Sequence, residues 1–572
     1  MPENPVTPEQ PKVRQREVPA GAARALAAAG LHPVLARVYA ARGVADAGDL
    51  ESSLQGLLPP GTMKGLAAAA VLLADAIEAD ARLLIIADYD ADGATACAVG
   101  MLGLQAMGAR VDFLVPDRQK HGYGLTPAIV QEAALLEPDL LITVDNGIAS
   151  VEGVAEAASL GLPVLVTDHH LPGPALPAAE AIVNPNQPGC GFASKQLAGV
   201  GVMFYVLLGL RAELRERGAF AERPEPRLVD LLDLVALGTV ADVVPLDRNN
   251  RLLVGEGLKR IRAGRARPGI AALFQVSGRD PARATTRDLG FSIGPRLNAA
   301  GRLTDMRLGI HCLLAERLEL GVPLASELDT LNRARREIET DMRDQAMARL
   351  GEAEVSAGCT VVAFDPDWHP GVVGIVAARL RDRFHRPAVV FAPGEDGELK
   401  GSGRSIDGLH LRDCLDLIAK REPDLILRFG GHAAAAGLSL RHSELERFER
   451  AFEAAATTLL SPEDLQETLW ADGALEAREL ELSLAEALDG GVWGKDFPEP
   501  VFEGEFSVLD SRIVGERHLK LRLGMGGQAV EAILFGDIGP LPRQIRALYQ
   551  LAVNEWKGER KAQLTVKHWQ PA

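Results

Sequence analysis

Cysteine is scarce and scattered. Cys97, Cys190, Cys312, Cys359 and Cys414 are odd in number and form no C-x-x-C pair, which sets aside thiolate zinc and dithiol redox chemistry and leaves reduced core residues. No apolar run reaches the roughly 18 uncharged residues of a membrane span. The opening stretch MPENPVTPEQPKVRQREVP is polar and proline-rich, unlike a signal peptide. A cytoplasmic protein with a disordered tail and no membrane partner is the expectation. Positive charge is not in excess. A formal net charge of -17 argues against a body coated in basic surface for unspecific nucleic-acid binding, although a local basic groove remains open. No internal repeat of fixed period is visible.

Length and apolar content are plentiful: 572 residues, 47% of them hydrophobic, suffice for roughly three or four domains. Residues 20–73 are alanine- and leucine-rich with helical spacing and predict a helical lead-in. From Arg82 the pattern alternates. Strands are expected at Leu83–Ala87, Val111–Val115, Leu140–Val144, Val164–Thr167 and Ala181–Val183, with helices at 94–107, 127–136 and 151–160 between them. Such alternation predicts an α/β fold with a doubly wound parallel sheet, in which ligands bind outside the carboxyl ends of the strands.

Three of these strands end in chemistry. RLLIIADYDADG, Arg82 to Gly93, passes from a buried apolar run into Asp88, Asp90 and Asp92. Carboxylates that close repel one another in a poorly solvated crevice, and a divalent metal is the simplest partner. LLITVDNGI delivers Asp145, and VLVTDHH delivers Asp168, His169 and His170. Any one of these alone reads as turn chemistry or a helix cap; three at one sheet edge do not. In LVDLLDLVALGTVADVVPL, Asp242 is an acid in nearly wholly apolar company and is expected as a fourth arm of the site, whereas Asp230 and Asp233 read as a solvated helix face.

DYDADG, DNGI, DHH and GTVADVVPL, in this order and spacing, resemble the four motifs of the DHH phosphoesterase superfamily. GFSIGPRLNAAGRL, from Gly290, resembles its single-strand-specific exonuclease branch, and GSGRS with RFGGHAAAAG resemble the DHH-associated domain. The resemblance implies a parallel-sheet DHH domain over residues 76–322 after an N-terminal tail and lead-in (1–75), and a connecting helix at 323–352. It further implies an α/β DHH-associated domain at 353–460 and an OB-type β-barrel at 461–572. It implies a single-stranded-DNA-specific 5′-to-3′ exonuclease of DNA repair and recombination that releases 5′-mononucleotides, with single-stranded DNA, a helicase and a single-strand-binding protein as partners.

On the family pattern Asp90, Asp92, Asp145, His169 and Asp242 are the metal ligands, with Asp145 as the bridge between two ions. Asp88 is a further ligand or supports one, Asp168 lies behind the ligands, and His170 contacts the scissile phosphate. Carboxylates with imidazoles suit Mn²⁺, with Mg²⁺ as the alternative. Arg296, Asn298 and Arg302 are expected on the phosphate backbone or a 5′-phosphate, against a salt-bridged structural role. Ser402, Arg404 and His432, among the glycines of the second lobe, are expected to meet a phosphodiester, unless those glycines are ordinary tight turns.

Five short strands at 502–509, 518–523, 529–535, 547–553 and 563–568, with Arg512, Arg517, Lys520, Arg522, Lys557 and Lys561, suit a barrel with a local basic surface. Phe535 and Trp556 serve either as base-stacking platforms or as barrel core. An oligoribonuclease, a cyclic-dinucleotide phosphodiesterase or a pyrophosphatase would not need this barrel, and the full Asp and His set argues against a non-catalytic strand binder.

Overall fold

The computed structural model describes residues 11–50, 53–117, 121–221, 223–350, 358–394, 397–556 and 558–572; Lys557 lies outside them. The described residues form two compact units, residues 15–331 with 471–572, and residues 11–14 with 332–470.

The first unit is organised by five parallel strands: β1 (Arg82–Ala87), β2 (Arg110–Leu114), β3 (Leu140–Val144), β4 (Val164–Thr167) and β5 (Ala181–Val183), in the order β2-β1-β3-β4-β5. Every residue of β3 and β4 is buried, as expected of aliphatic runs covered by helices on both faces. The register pairs Ala87 with Val144, Val144 with Thr167, and Thr167 with Val183. The next residue of the first three of these strands is therefore Asp88, Asp145 or Asp168, along one line. The direction of winding reverses between β1 and β3, where ligands bind in sheets of this order.

Helix α1 (Ala91–Ala106) runs back from β1, α2 (Pro127–Ala134) and α3 (Val151–Ser159) make the following crossovers, and α4 (Gly199–Glu216) and α5 (Leu232–Ala241) lie beyond β5. Helix α1 is buried almost all round, because it is alanine- and glycine-rich and so permits close neighbours. Asp233 corrects the expectation of a solvated face. It is fully buried, with its carboxylate accepting from the N–H of Leu234 (2.9 Å) and of Arg267 (2.6 Å), while Asp230 pairs with Arg260 at 2.8 Å.

The same unit contains a closed five-stranded barrel at residues 502–571. Its strands run longer than expected, Phe502–Val514 and Gln544–Trp556 among them. Phe535 and Trp556 are exposed, not barrel core. The helical lead-in forms helices at Ala20–Ala28, Pro33–Ala40 and Leu66–Glu78 that join the core shared by sheet and barrel. Arg42 donates to both oxygens of Asp472 (2.7 and 2.9 Å), and Tyr39 stacks on Trp493 at 5.3 Å.

Helix α6 (Gly294–Leu303) closes over the aspartate loop, and α7 (Leu318–Arg349) begins earlier than the expected connecting helix. It is not solvated all round: Leu328, Asp329, Asn332, Arg335, Glu339, Met342 and Ala346 form a buried stripe.

The second unit carries a mixed five-stranded sheet built from 361–364, 388–393, 398–404, 428–431 and 435–441. Gly401, Gly403 and Gly430 lie in strands, which corrects the tight-turn alternative for them, whereas Gly431 ends its strand at φ 139° where the chain turns back to Ala435. A Cβ on Gly401 would approach Phe391 to 2.4 Å and one on Gly403 would approach Leu411 to 2.7 Å.

Candidate metal centre

Each arm of the site is fixed by its own element. Asp90 caps α1, its Oδ1 accepting from the N–H of Asp92 (2.9 Å) and Gly93 (3.0 Å). Asp92, in the first helical turn, turns inward to the start of α4, where the N–H groups of Gly199 and Val200 donate to its two oxygens at 2.6 and 3.0 Å. That helix N-terminus favours a negative group. Asp145 follows β3 in a left-handed conformation, φ 63°, which turns the chain sharply at the sheet edge. Only glycine fits opposite it, since a Cβ on Gly199 would stand 2.6 Å from the Asp145 side chain. Asn146 bridges the switch point, donating to the carbonyls of Ile86 (3.1 Å) and Val144 (3.0 Å).

Asp168 organises the histidines. Its Oδ1 accepts from the N–H of His169 (2.7 Å) and His170 (3.1 Å) and lies 2.8 Å from His170 Nδ1, and its Oδ2 accepts from Ile148 N–H (2.9 Å). His169 Nε2 points into the cluster, 3.1 Å from Asp145, 3.6 Å from Asp242 and 4.0 Å from Asp92. Asp242 ends α5. Ligand atoms of Asp92, His169 and Asp242 lie within 4.8 Å of one another; so do those of Asp88, Asp90 and Asp145, and those of Asp145, His169 and His170. Asp145 thus belongs to two of these groups.

The charges are not balanced by the chain. Burial, and then Asp92 and Asp90, raise Asp145 well above the usual carboxylate range, and burial with Asp90 pushes Asp92 up to about 7. Asp88 and Asp242 are raised for the same reasons, burial first. Asp168 differs: burial would raise it, but the hydrogen bond and charge of His170 hold it below the usual range. His170 gains in turn. Burial opposes its protonation, yet Asp168 brings it up to about 9, so it is a hydrogen-bond donor at neutral pH.

Asp88 Oδ1 is buried without a hydrogen bond, and Asp145 Oδ1, also without one, faces His169 Nε2 at 3.1 Å. Carboxylate oxygens in that state are costly unless a cation meets them. Oxygen and imidazole donors with no thiolate among them fit a hard divalent ion such as Mn²⁺ or Mg²⁺.

The remaining expected residues divide. Asn298 Oδ1 accepts the Ala91 N–H at 2.8 Å, so it pins the aspartate loop to α6. Arg296 corrects the expectation of a phosphate contact. It is buried, with Nε and Nη2 on Asp329 at 3.0 and 2.8 Å and Nη1 on the Ser292 carbonyl, and its guanidinium braces α6 against α7. Arg302 is half-buried in the last turn of α6. Ser402, Arg404 and His432 belong to the second unit, where Arg404 Nη1 donates to Ser402 Oγ at 3.1 Å. Sequence reasoning missed Tyr123, whose hydroxyl lies 3.2 Å from His170 Nε2 with the rings edge to face at 5.8 Å. The glycines on either side of it, Gly122 and Gly124, were the available signal.

Known proteins resemble the chain along nearly its whole length. Family models described as the DHH family N-terminal domain, the DHHA1 domain and the RecJ OB domain match residues 82–239, 357–459 and 471–568. The single-stranded-DNA-specific exonuclease RecJ of Salmonella typhimurium is 49% identical over 94% of this chain and 96% of its own. A crystal structure of RecJ from Thermus thermophilus in complex with Mn²⁺ superposes with TM-score 0.82 at 31% identity, covering 98% of this chain and 79% of that one. The Mg²⁺ complex from the same organism gives 0.76 at 29% identity, covering 98% and 78%.

Proposed function

The chain belongs to the RecJ family of single-stranded-DNA-specific exonucleases within the DHH phosphoesterases, and from that premise we propose how its residues carry out the reaction. The protein is a metal-dependent exodeoxyribonuclease that degrades single strands from the 5′ end to 5′-mononucleotides in DNA repair and recombination. The observation that carries the assignment of the site is the group of buried, uncompensated carboxylates around Asp145.

Asp90, Asp92, Asp145, His169 and Asp242 would hold divalent metal, two ions with Mn²⁺ preferred on this reading, and Asp88 would support the Asp90 side. When bound, such ions supply an acidified water and positive charge against a phosphodiester. The chain supplies orientation. Asp168 fixes both imidazoles, so that His169 presents Nε2 to the carboxylates while protonated His170, with the Tyr123 hydroxyl beside it, is left to donate to a phosphate oxygen. The N–H groups of Gly199 and Val200 keep Asp92 directed inward while it remains an acceptor. Asn298 prevents the aspartate loop from shifting. Arg302, Ser402, Arg404 and His432 are donors for the strand's phosphates on this reading, and Arg296 acts only through the position of α6.

The test uses the full chain with Mn²⁺ and matched single- and double-stranded DNA carrying a 5′ or a 3′ label, with Asp145→Ala alongside. Early labelled mononucleotide should appear only from the 5′-labelled single strand and only with the unsubstituted chain. Release by Asp145→Ala at the normal rate would refute the site, and early release from the 3′ label would refute the polarity.

A further inference from the structure

The wall of the site beside Asp242 is a short π-turn, Leu289–Ile293, leading into α6. Such turns are uncommon and recur at functional sites. Its glycines bring it against the last turn of α5: a Cβ on Gly290 would stand 3.3 Å from Val240, and one on Gly294 would stand 3.0 Å from Ala241. Asp242 is the next residue. At the other end of α6 a Cβ on Gly301 would stand 1.8 Å from the Tyr89 carbonyl oxygen, and Asn298 grips Ala91. The segment is therefore pinned to two arms of the metal centre.

Leu289, Ser292 and Ile293 of the turn are buried, yet Phe291 is 74% exposed. Val243, immediately after Asp242, is 63% exposed and held at φ 60°, a conformation that β-branched residues rarely adopt. The centre is more open at Asp242 than at its other aspartates Asp92 and Asp145. The Asp242 side chain is 22% exposed, against 0% for Asp92 and 2% for Asp145. One exposed apolar residue is ordinary on a protein surface. A phenyl ring on a backbone fixed at both ends, in a turn packed on the last turn of the helix that ends at Asp242, has the rigidity of a platform.

We propose that Phe291 is the surface on which an unpaired base of the DNA strand stacks beside the metal centre. Every base has a π-face, so the contact tolerates any sequence, as single-strand readers require. The bases of a duplex are stacked on one another and offer no free face, so the contact also favours single strands. A ring held in place loses little freedom on binding. The proposal rests on the aspartate–histidine cluster being the reaction centre.

The test compares Phe291→Ala, Phe291→Trp and Asp145→Ala with the unsubstituted chain under Mn²⁺. Its readouts are KM and kcat on a single strand and the strength with which a fully abasic strand of the same length competes. Phe291→Ala should raise KM for the base-bearing strand about tenfold and leave kcat within about twofold, because the ring touches a base and not the scissile phosphate. It should leave competition by the abasic strand unchanged, and Phe291→Trp should restore KM. Equal losses on both strands, or a fall in kcat at constant KM, would make Phe291 a structural support of Asp242 and overturn the proposal. Normal turnover by Asp145→Ala would instead remove the centre on which it rests.

Discussion

Two regions of the first unit bury carboxylates, and they do so in opposite ways. At the sheet edge Asp88, Asp92, Asp145 and Asp242 crowd together with two imidazoles and, among the described residues, no ion pair to lysine or arginine, and each is raised above its ordinary range. At the seam between the lead-in helices and the barrel, Asp472 is also buried but takes a two-pronged grip from Arg42, with a further bond from Val501 N–H at 3.0 Å. A buried acid that the chain compensates holds the fold together. One that it leaves uncompensated waits for a cation, and the native state is less stable for it until the cation arrives.

The difference is largest on substitution at Asp145. Asp145→Ala should cost at least about 10³-fold in turnover under Mn²⁺, yet in metal-free buffer its unfolding midpoint should match or exceed that of the unsubstituted chain. A clear loss of metal-free stability would erase the distinction. Asp472→Ala should do the reverse. It strands a guanidinium that is 2% exposed and should cost about 3–5 kcal/mol in urea unfolding, with turnover per folded molecule unchanged.

Asp168 lies between the two cases, since it is compensated but by the histidines of the site itself. Asp168→Asn should weaken Mn²⁺ binding by about 10–100-fold with a small effect on stability. Unchanged affinity would show that the histidines orient themselves.

Asp489 sharpens the comparison at its weak end. Burial and then Glu499 push it up to about 6, against the Val553 N–H and the charges of Arg287 and Arg560. The folded chain therefore holds this proton more tightly than the unfolded one. Its contribution is fully present below about pH 4 and is lost as pH rises through about 6. Asp489→Asn should match the unsubstituted chain at pH 4 and be on the order of 1–2 kcal/mol more stable at pH 7.5. No gain at pH 7.5 would mean that the arginines compensate Asp489 fully.

The centre was legible in the sequence because its signals are local. An aliphatic strand that breaks into Asp or His at its carboxyl end announces both the sheet and the edge, and three such strands announce a shared site. What was not legible depends on partners far along the chain. Arg296 looked like a phosphate ligand until Asp329, on another helix, occupied it. Asp233 looked solvated because helical spacing does not reveal that the Arg267 N–H comes to meet it. The glycines of GSGRS look the same whether they turn a chain or make room for side chains across a sheet. Nothing near Arg42 foretells Asp472.

Titrating Mn²⁺ into the metal-free chain and reading bound ion by electron paramagnetic resonance shows whether the uncompensated carboxylates are the metal centre. Two bound ions whose spins interact are expected, with the interaction and at least one ion lost in Asp145→Ala and both retained in Asp472→Ala. Binding of the same number of ions, with the same spectrum, by Asp145→Ala would contradict that assignment.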